Sequence, residues 1–217
     1  MSDDILIRPY RPGDRDAVRQ ICCDTANCGR PIESVFKDRQ FVADLVTSYY
    51  TDYEPESLWI AEDAGQAIGY LTGCFDIRRY NLKMIRCIIP RVFISCVFRG
   101  TLVQKETWRM LRAGLKTWRL GGFRKNIPLD KYPIHLHIDI KEEFRGKSVG
   151  QRLMEKFFDQ ARKRGAQGIH VITREDNKAA CRFFERMGFV ILSRHPMFVL
   201  DKEDFLQSHT LVYVKSI

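Results

Sequence analysis

The alternation of apolar and polar positions is strongest in IHLHIDI, residues 134–140. Ile134, Leu136, Ile138 and Ile140 point to one side of an extended chain, and His135, His137 and Asp139 to the other. This pattern predicts a half-buried strand. ILIRPY predicts a strand near the start, and SLWIAED and AIGYLTGCFD predict a hairpin closed by Ala64-Gly65-Gln66. GIHVIT, FVILSRHPMFVL and TLVYVKSI complete the strands. Helical spacing fills the intervals. Asp14 is placed to cap a helix reaching about Asp24. Phe36, Phe41, Leu45 and Tyr49 predict a second helix over Val35 to Tyr50. Leu102, Trp108, Leu111, Leu115 and Trp118 share one side of another over Thr101 to Arg119, closed by Gly121-Gly122. Pro90 is expected to break whatever runs through Met84 to Phe98. A helix ending about Arg164 follows the His-bearing strand. DNKAACRFFERM makes one more, capped by Asp176 or Asn177 and stopped at Gly188. The order of elements defines a mixed α/β fold, expected to be a single domain over residues 1–217.

Composition adds limits. A chain of 217 residues, 45% apolar and 29% charged, can build a core without metal or disulfide support. MSDDILIRPY lacks the basic and apolar regions of a signal peptide. Met84 to Phe98 is too short for a membrane span and is interrupted by Arg86, Pro90 and Arg91. The seven scattered cysteines suit free thiols in a reducing, cytoplasmic setting. Cys22, Cys23 and Cys28 lack partners at zinc-ligand spacing, so no metal site is expected.

The net charge of +9 changes the picture because it is concentrated. Residues 78–131 hold 14 Lys and Arg against Glu106 and Asp130, an excess of +12, and the remainder is slightly acidic. An anionic partner belongs at 78–131 if anywhere.

The most suggestive chemistry is in FRGKSVGQRLM, residues 144–154, between the alternating strand and a helix. Free N–H groups and the dipole at a helix start attract anions, and glycine lets a phosphate approach the backbone. Arg145 and Lys147 add charge. The spacing is neither a Walker A loop nor a dinucleotide fingerprint.

The ordered set IHLHIDIKEEFRGKSVGQRLM, GIHVIT and NKAACRFFERMGF resembles the GCN5-related N-acetyltransferase superfamily (GNAT). IRPYRPGDRDAVRQIC and WIAEDAGQAIGYLTG are similar to that family's opening strand, first helix and hairpin. The likeness omits 78–131. It implies a central, mostly antiparallel sheet flanked by helices, with 78–131 a basic, largely helical insertion between strands three and four. It implies an acetyl-CoA cofactor and acetyl transfer to a primary amine by direct attack. Backbone groups of Ile138 and Ile140 would pair with the pantetheine arm. Amides across Arg145, Gly146, Lys147, Ser148, Val149 and Gly150 would hold the pyrophosphate. Asn177 and Phe184 would lie toward the cofactor's thiol end.

Two departures stand out. Ser148 occupies a position where the family often has glycine; as a small N-cap residue it is expected to keep the amide cradle. Phe184 stands where many members carry the tyrosine that protonates the departing thiolate, which phenylalanine cannot do. A rival reading is therefore a catalytically weak CoA-binding interaction or regulatory module. For turnover, the amine must lose a proton, and His137 assisted by Asp139 is the expected base, with Glu62 and Asp76 in reserve. His170 is expected to pack within its strand and His195 to sit at a bend. The bland alternative leaves the His135–Asp139 face as satisfied polar groups. The basic insertion is open to four readings: a lid over the acceptor, a homodimer or partner surface, a nucleic-acid or anionic-membrane contact, or a solvated helix packed by its apolar side. The acceptor, small amine or peptide, is not legible.

Overall fold

The computed structural model describes residues 5–201 and 205–217; the acidic start at 1–4 lies outside them. The alternating segments become strands: β1 (Leu6–Pro9), β2 (Leu58–Asp63), β3 (Gln66–Cys74), β4 (Ile134–Ile140), β5 (Gly168–Arg174), β6 (Val190–Leu200) and β7 (Phe205–Ser216). They form one seven-stranded sheet in the order β1-β2-β3-β4-β5-β7-β6. All neighbours are antiparallel except β4 and β5. The mixed α/β fold with a mostly antiparallel sheet is thus the one expected. At the β2–β3 turn, Ala64 and Gly65 both have positive φ, 46° and 78°, the twist that two-residue hairpins require.

Helices α1 (Arg15–Thr25), α2 (Arg39–Tyr53), α3 (Ile77–Lys83), α4 (Ile89–Phe98), α5 (Lys105–Arg119), α6 (Val149–Lys163) and α7 (Lys178–Arg186) cover the two faces. α3, α4 and α5 all fall between β3 and β4, where the basic segment lies. The even-numbered positions of β4 go to a dry face: Ile134 and Leu136 pack with Leu153, Met154 and Phe157 of α6, and with Phe184 and Phe189. The opposite face is built by Val18, Ile21 and Cys22 of α1, Tyr49 and Tyr50 of α2, Tyr70 and Cys74 of β3, and Ile88, Val92 and Cys96 of the insertion.

Four local expectations are corrected. Asp14 sits at the start of α1 but makes no side-chain cap; its carboxylate instead receives the Arg8 guanidinium and the Arg11 amide. α2 begins at Arg39 rather than Val35, because Asp38 caps it by accepting from Phe41 N at 2.9 Å. Pro90 does not break the insertion. Residues Met84–Ile88 form a π-helical turn in which Ile89 N–H donates to Met84 O, and Pro90 then falls in the first turn of α4, where its missing donor is not needed. His195 and Pro196 lie inside β6 rather than at a bend; β6 is a rim strand, which tolerates proline.

Candidate active site

β4 and β5 run side by side only at Ile134 with Ile169 and His135 with His170. Beyond that point they part, although β4 continues to Ile140 and β5 to Arg174. Lys141 N–H donates to Ile68 O, so the odd-numbered backbone groups of β4 face β3. Those of Leu136, Ile138 and Ile140 therefore face the gap. The Ile140 carbonyl is taken by Arg145 Nε at 3.0 Å, which leaves its amide facing outward.

The gap leads to the loop 145–150. Gly146 has φ 78° and open space where a Cβ would stand. Gly150 is close-packed: an added Cβ would lie 3.0 Å from the Phe183 ring and 3.2 Å from Ile140 Cδ1. Ser148 occupies the N-cap position of α6 with φ 59° and makes no side-chain cap bond. The serine is thus held in a left-handed conformation that glycine adopts more readily. Val149 and Gly150 are buried in the first turn of α6, and Lys147 lies over the Phe144 ring at 4.9 Å. The free amides of this turn and the open space above Gly146 are the groups that could hold a phosphate-bearing ligand.

The segment after α1 bridges the gap. Arg145 Nη2 donates to Gly29 O at 2.9 Å, and Arg174 Nη1, from the end of β5, donates to Asn27 Oδ1 at 3.2 Å. Arg174 also pairs with Asp176. Next to it, Asn177 caps α7 by accepting from Ala180 N at 3.2 Å. Phe184 is buried between Phe183, Phe189 and Tyr213, and carries no group that could protonate a thiolate.

On the other face of β4 the polar groups gather as the alternation requires. The His135 ring lies 4.6 Å from His137 and 5.1 Å from His170, and His137 is 6.2 Å from Tyr50. Tyr70 donates to Asp139 Oδ2 at 2.6 Å. Burial pushes the His137 imidazole below its ordinary value, with Asp139 opposing. Burial raises the Asp139 carboxyl, against the Tyr70 hydrogen bond and His137. His135 is driven well down by burial, His137, His170 and Lys125. His170 is also lowered, chiefly by burial, and its Nδ1 stands 2.7 Å from Tyr132 O. These rings are neutral at neutral pH, the state in which an imidazole can accept a proton. Of the reserve carboxylates, Glu62 pairs with Arg8 and Asp76 caps α3 through the amides of Arg78 and Arg79.

Sequence spacing could not supply Tyr50, Tyr70, His170, Asn27 or Arg174, since they come from α2, β3, β5 and the segment after α1. A groove of about 250 Å³ lies beside Asn27 and Arg174. Its walls include Ile32 and Phe36 before α2, Met110 of α5, Phe123, and Met197 and Phe198 of β6. Among the described residues no cluster of His, Cys, Asp and Glu is arranged to hold a metal ion.

Residues 120–189 match the acetyltransferase (GNAT) family. N-alpha-acetyltransferase 30 of Schizosaccharomyces pombe is 37% identical over 65 residues, which is 30% of this chain and 43% of that protein. The match therefore spans less than half the length of that curated relative. Among solved structures, SsHAT is 27% identical with a TM-score of 0.71 and 98% of both chains covered. The yncA protein of Salmonella typhimurium with its cofactor acetyl-CoA shares the fold at 14% identity and TM-score 0.60, covering 99% of this chain and 94% of that one. The chain is thus similar to GNAT acetyltransferases in sequence over residues 120–189 and in fold over nearly its whole length.

Proposed function

We propose that the protein is an acetyl-CoA-dependent N-acetyltransferase, a single GNAT-like domain over 1–217 with 78–131 as a basic insertion. The parting of β4 from β5 onto the 145–150 loop carries the reading. The space over Gly146, the close packing at Gly150 and the outward amides of β4 fit an acyl-CoA. Acetyl-CoA supplies an activated thioester carbonyl. The Ile138 and Ile140 backbone holds the amide-bearing arm, and the turn from Arg145 to Gly150 holds the pyrophosphate. Arg145 itself fastens the loop to Ile140 and Gly29. Asn177 and Phe184 flank the thiol end.

The acceptor enters from the groove beside Asn27 and Arg174, whose apolar walls suit an amine with an apolar substituent, small molecule or peptide. An ammonium has no lone pair, so the amine must be deprotonated before it attacks. His137, held neutral by burial, accepts that proton, and Asp139 favours the resulting imidazolium. Seven unpaired cysteines support a cytoplasmic location.

Release of free thiol from acetyl-CoA over a panel of amines tests the activity. Tight CoA binding with no release from any amine selects the second reading, a CoA-binding module, which the apolar packing of Phe184 favours. Gly146→Asp places a carboxylate in the open space over the loop and is expected to weaken CoA at least about 100-fold. Unchanged affinity would remove the loop from the site. His137→Ala is expected to cost about 100-fold in rate and to abolish the acid limb of the pH–rate profile.

A further inference from the structure

The helices of the insertion expose their large apolar side chains. On α4, Val92 and Cys96 face inward, while Ile89, Phe93, Ile94, Val97 and Phe98 are exposed, Phe98 to 87%. Val103 continues the exposed run at the turn into α5. On α5, Thr107, Ala113 and Thr117 are buried, whereas Trp108, Leu111, Leu115 and Trp118 form an exposed stripe, the two indoles 57% and 64% accessible. One of the four readings of the insertion was a basic helix packed by its apolar side; on α5 that side is turned outward.

Arg112 and Arg119 stand one helical turn beyond Trp108 and Leu115 and border the stripe, while Lys116 turns its ammonium over the Phe198 and Phe205 rings. Arg86 and Arg91 are exposed about α4. A solvated basic helix does not need this much open aromatic and aliphatic surface. A second copy on the same face would set one +12 segment against another. Nucleic acid would use the charges but leave the isoleucines and phenylalanines unsatisfied. An anionic bilayer satisfies both at once: apolar side chains enter the acyl boundary, indoles sit at the headgroups, and arginines meet lipid phosphates and carboxylates.

We propose that α4 and α5 form a peripheral docking surface for anionic lipid bilayers. The surface lies on the bilayer; no helix among the described residues is long and apolar enough to cross one. A cytoplasmic leaflet, which carries the anionic lipids, is the matching partner.

Sedimentation of the full chain with vesicles tests this. Binding is expected with phosphatidylcholine containing 30% phosphatidylserine (about one lipid in three, a leaflet-like charge), but not with pure phosphatidylcholine. The tryptophan emission should shift to shorter wavelength on binding, and salt should weaken it. Phe98→Glu with Trp118→Glu is expected to lower anionic-vesicle affinity at least about tenfold with an unchanged melting profile. Lys163→Glu, a charge reversal on α6 that changes the net charge by as much as the double variant does, should leave it within about twofold. Absence of binding to the anionic vesicles at low salt overturns the proposal. So does a salt-resistant dimer that the double variant dissociates, which would assign the face to a second copy. Equal binding by the double variant overturns it as well. None of these readouts depends on acetyl transfer, so the proposal and the catalytic reading fail separately.

Discussion

α5 and α6 are both 15 residues long, both amphipathic, and both flanked by basic residues, yet they face opposite ways. α6 buries its large side chains, Leu153, Met154, Phe157 and Phe158, against the sheet. α5 buries Thr107, Ala113 and Thr117 and leaves Trp108, Leu111, Leu115 and Trp118 outside. The periodicity of a helix shows that an apolar stripe exists. It does not show whether the fold or something outside the fold takes that stripe. For α5 a second period, the small residues opposite the stripe, marks the side that packs on β6: Phe198 N–H donates to the Thr117 hydroxyl at 2.9 Å.

The comparison can be broken most severely at Phe157. Phe157→Ala should cost about 3–5 kcal/mol of unfolding free energy, because the ring is fully buried and lies in the space a Gly73 Cβ would need. A loss below about 1 kcal/mol would mean α6 is not the core helix described here. Acidification probes the polar side of β4. His135, His137 and His170 are lowered by burial, so the unfolded chain binds protons that the native rings refuse. Stability is fully present above the unfolded value of 6.5 and falls as pH drops below it toward the native values. If all three rings stay neutral, the melting midpoint should drop on the order of 10 °C between pH 7 and pH 5.5. A flat profile would show the rings to be freely hydrated. Thr117→Val should cost about 1–3 kcal/mol in chemical denaturation, since it orphans the Phe198 amide. Leu115→Ala, on the exposed stripe of the same helix, should stay within about 0.5 kcal/mol, and a larger loss would mean that the stripe packs against the fold after all.

Much of the sheet was legible because alternation is a local property. IHLHIDI fixed the strand, its two faces and the side on which a base could stand. The position of the 145–150 loop was legible through its neighbours, the strand before it and the helix after it. What was hidden depends on partners distant in sequence. Asp38 rather than Val35 starts α2, and only three-dimensional contacts explain why it is held there, for Arg99 and Thr101 of the insertion both bond its carboxylate. The π-turn that accommodates Pro90 leaves no compositional mark. Ser148 reads as an ordinary cap, and its φ of 59° follows from the turn the loop must make. Tyr70 joins the site only because β3 and β4 set it opposite Asp139.

The parting of β4 and β5 also bears on solubility. Unpaired strand backbone at a sheet rim is a template on which other chains can add strands and aggregate. Here the unpaired backbone lies in the middle of the sheet, flanked by strands of the same chain, where no free rim exists for another polypeptide to extend. The true rims are β1, which ends in Pro9, and β6, which carries Pro196. Proline cannot donate to an added strand. The sheet keeps its open hydrogen-bonding groups within its own span and sets its poorest strand-forming residues where neighbouring molecules meet it.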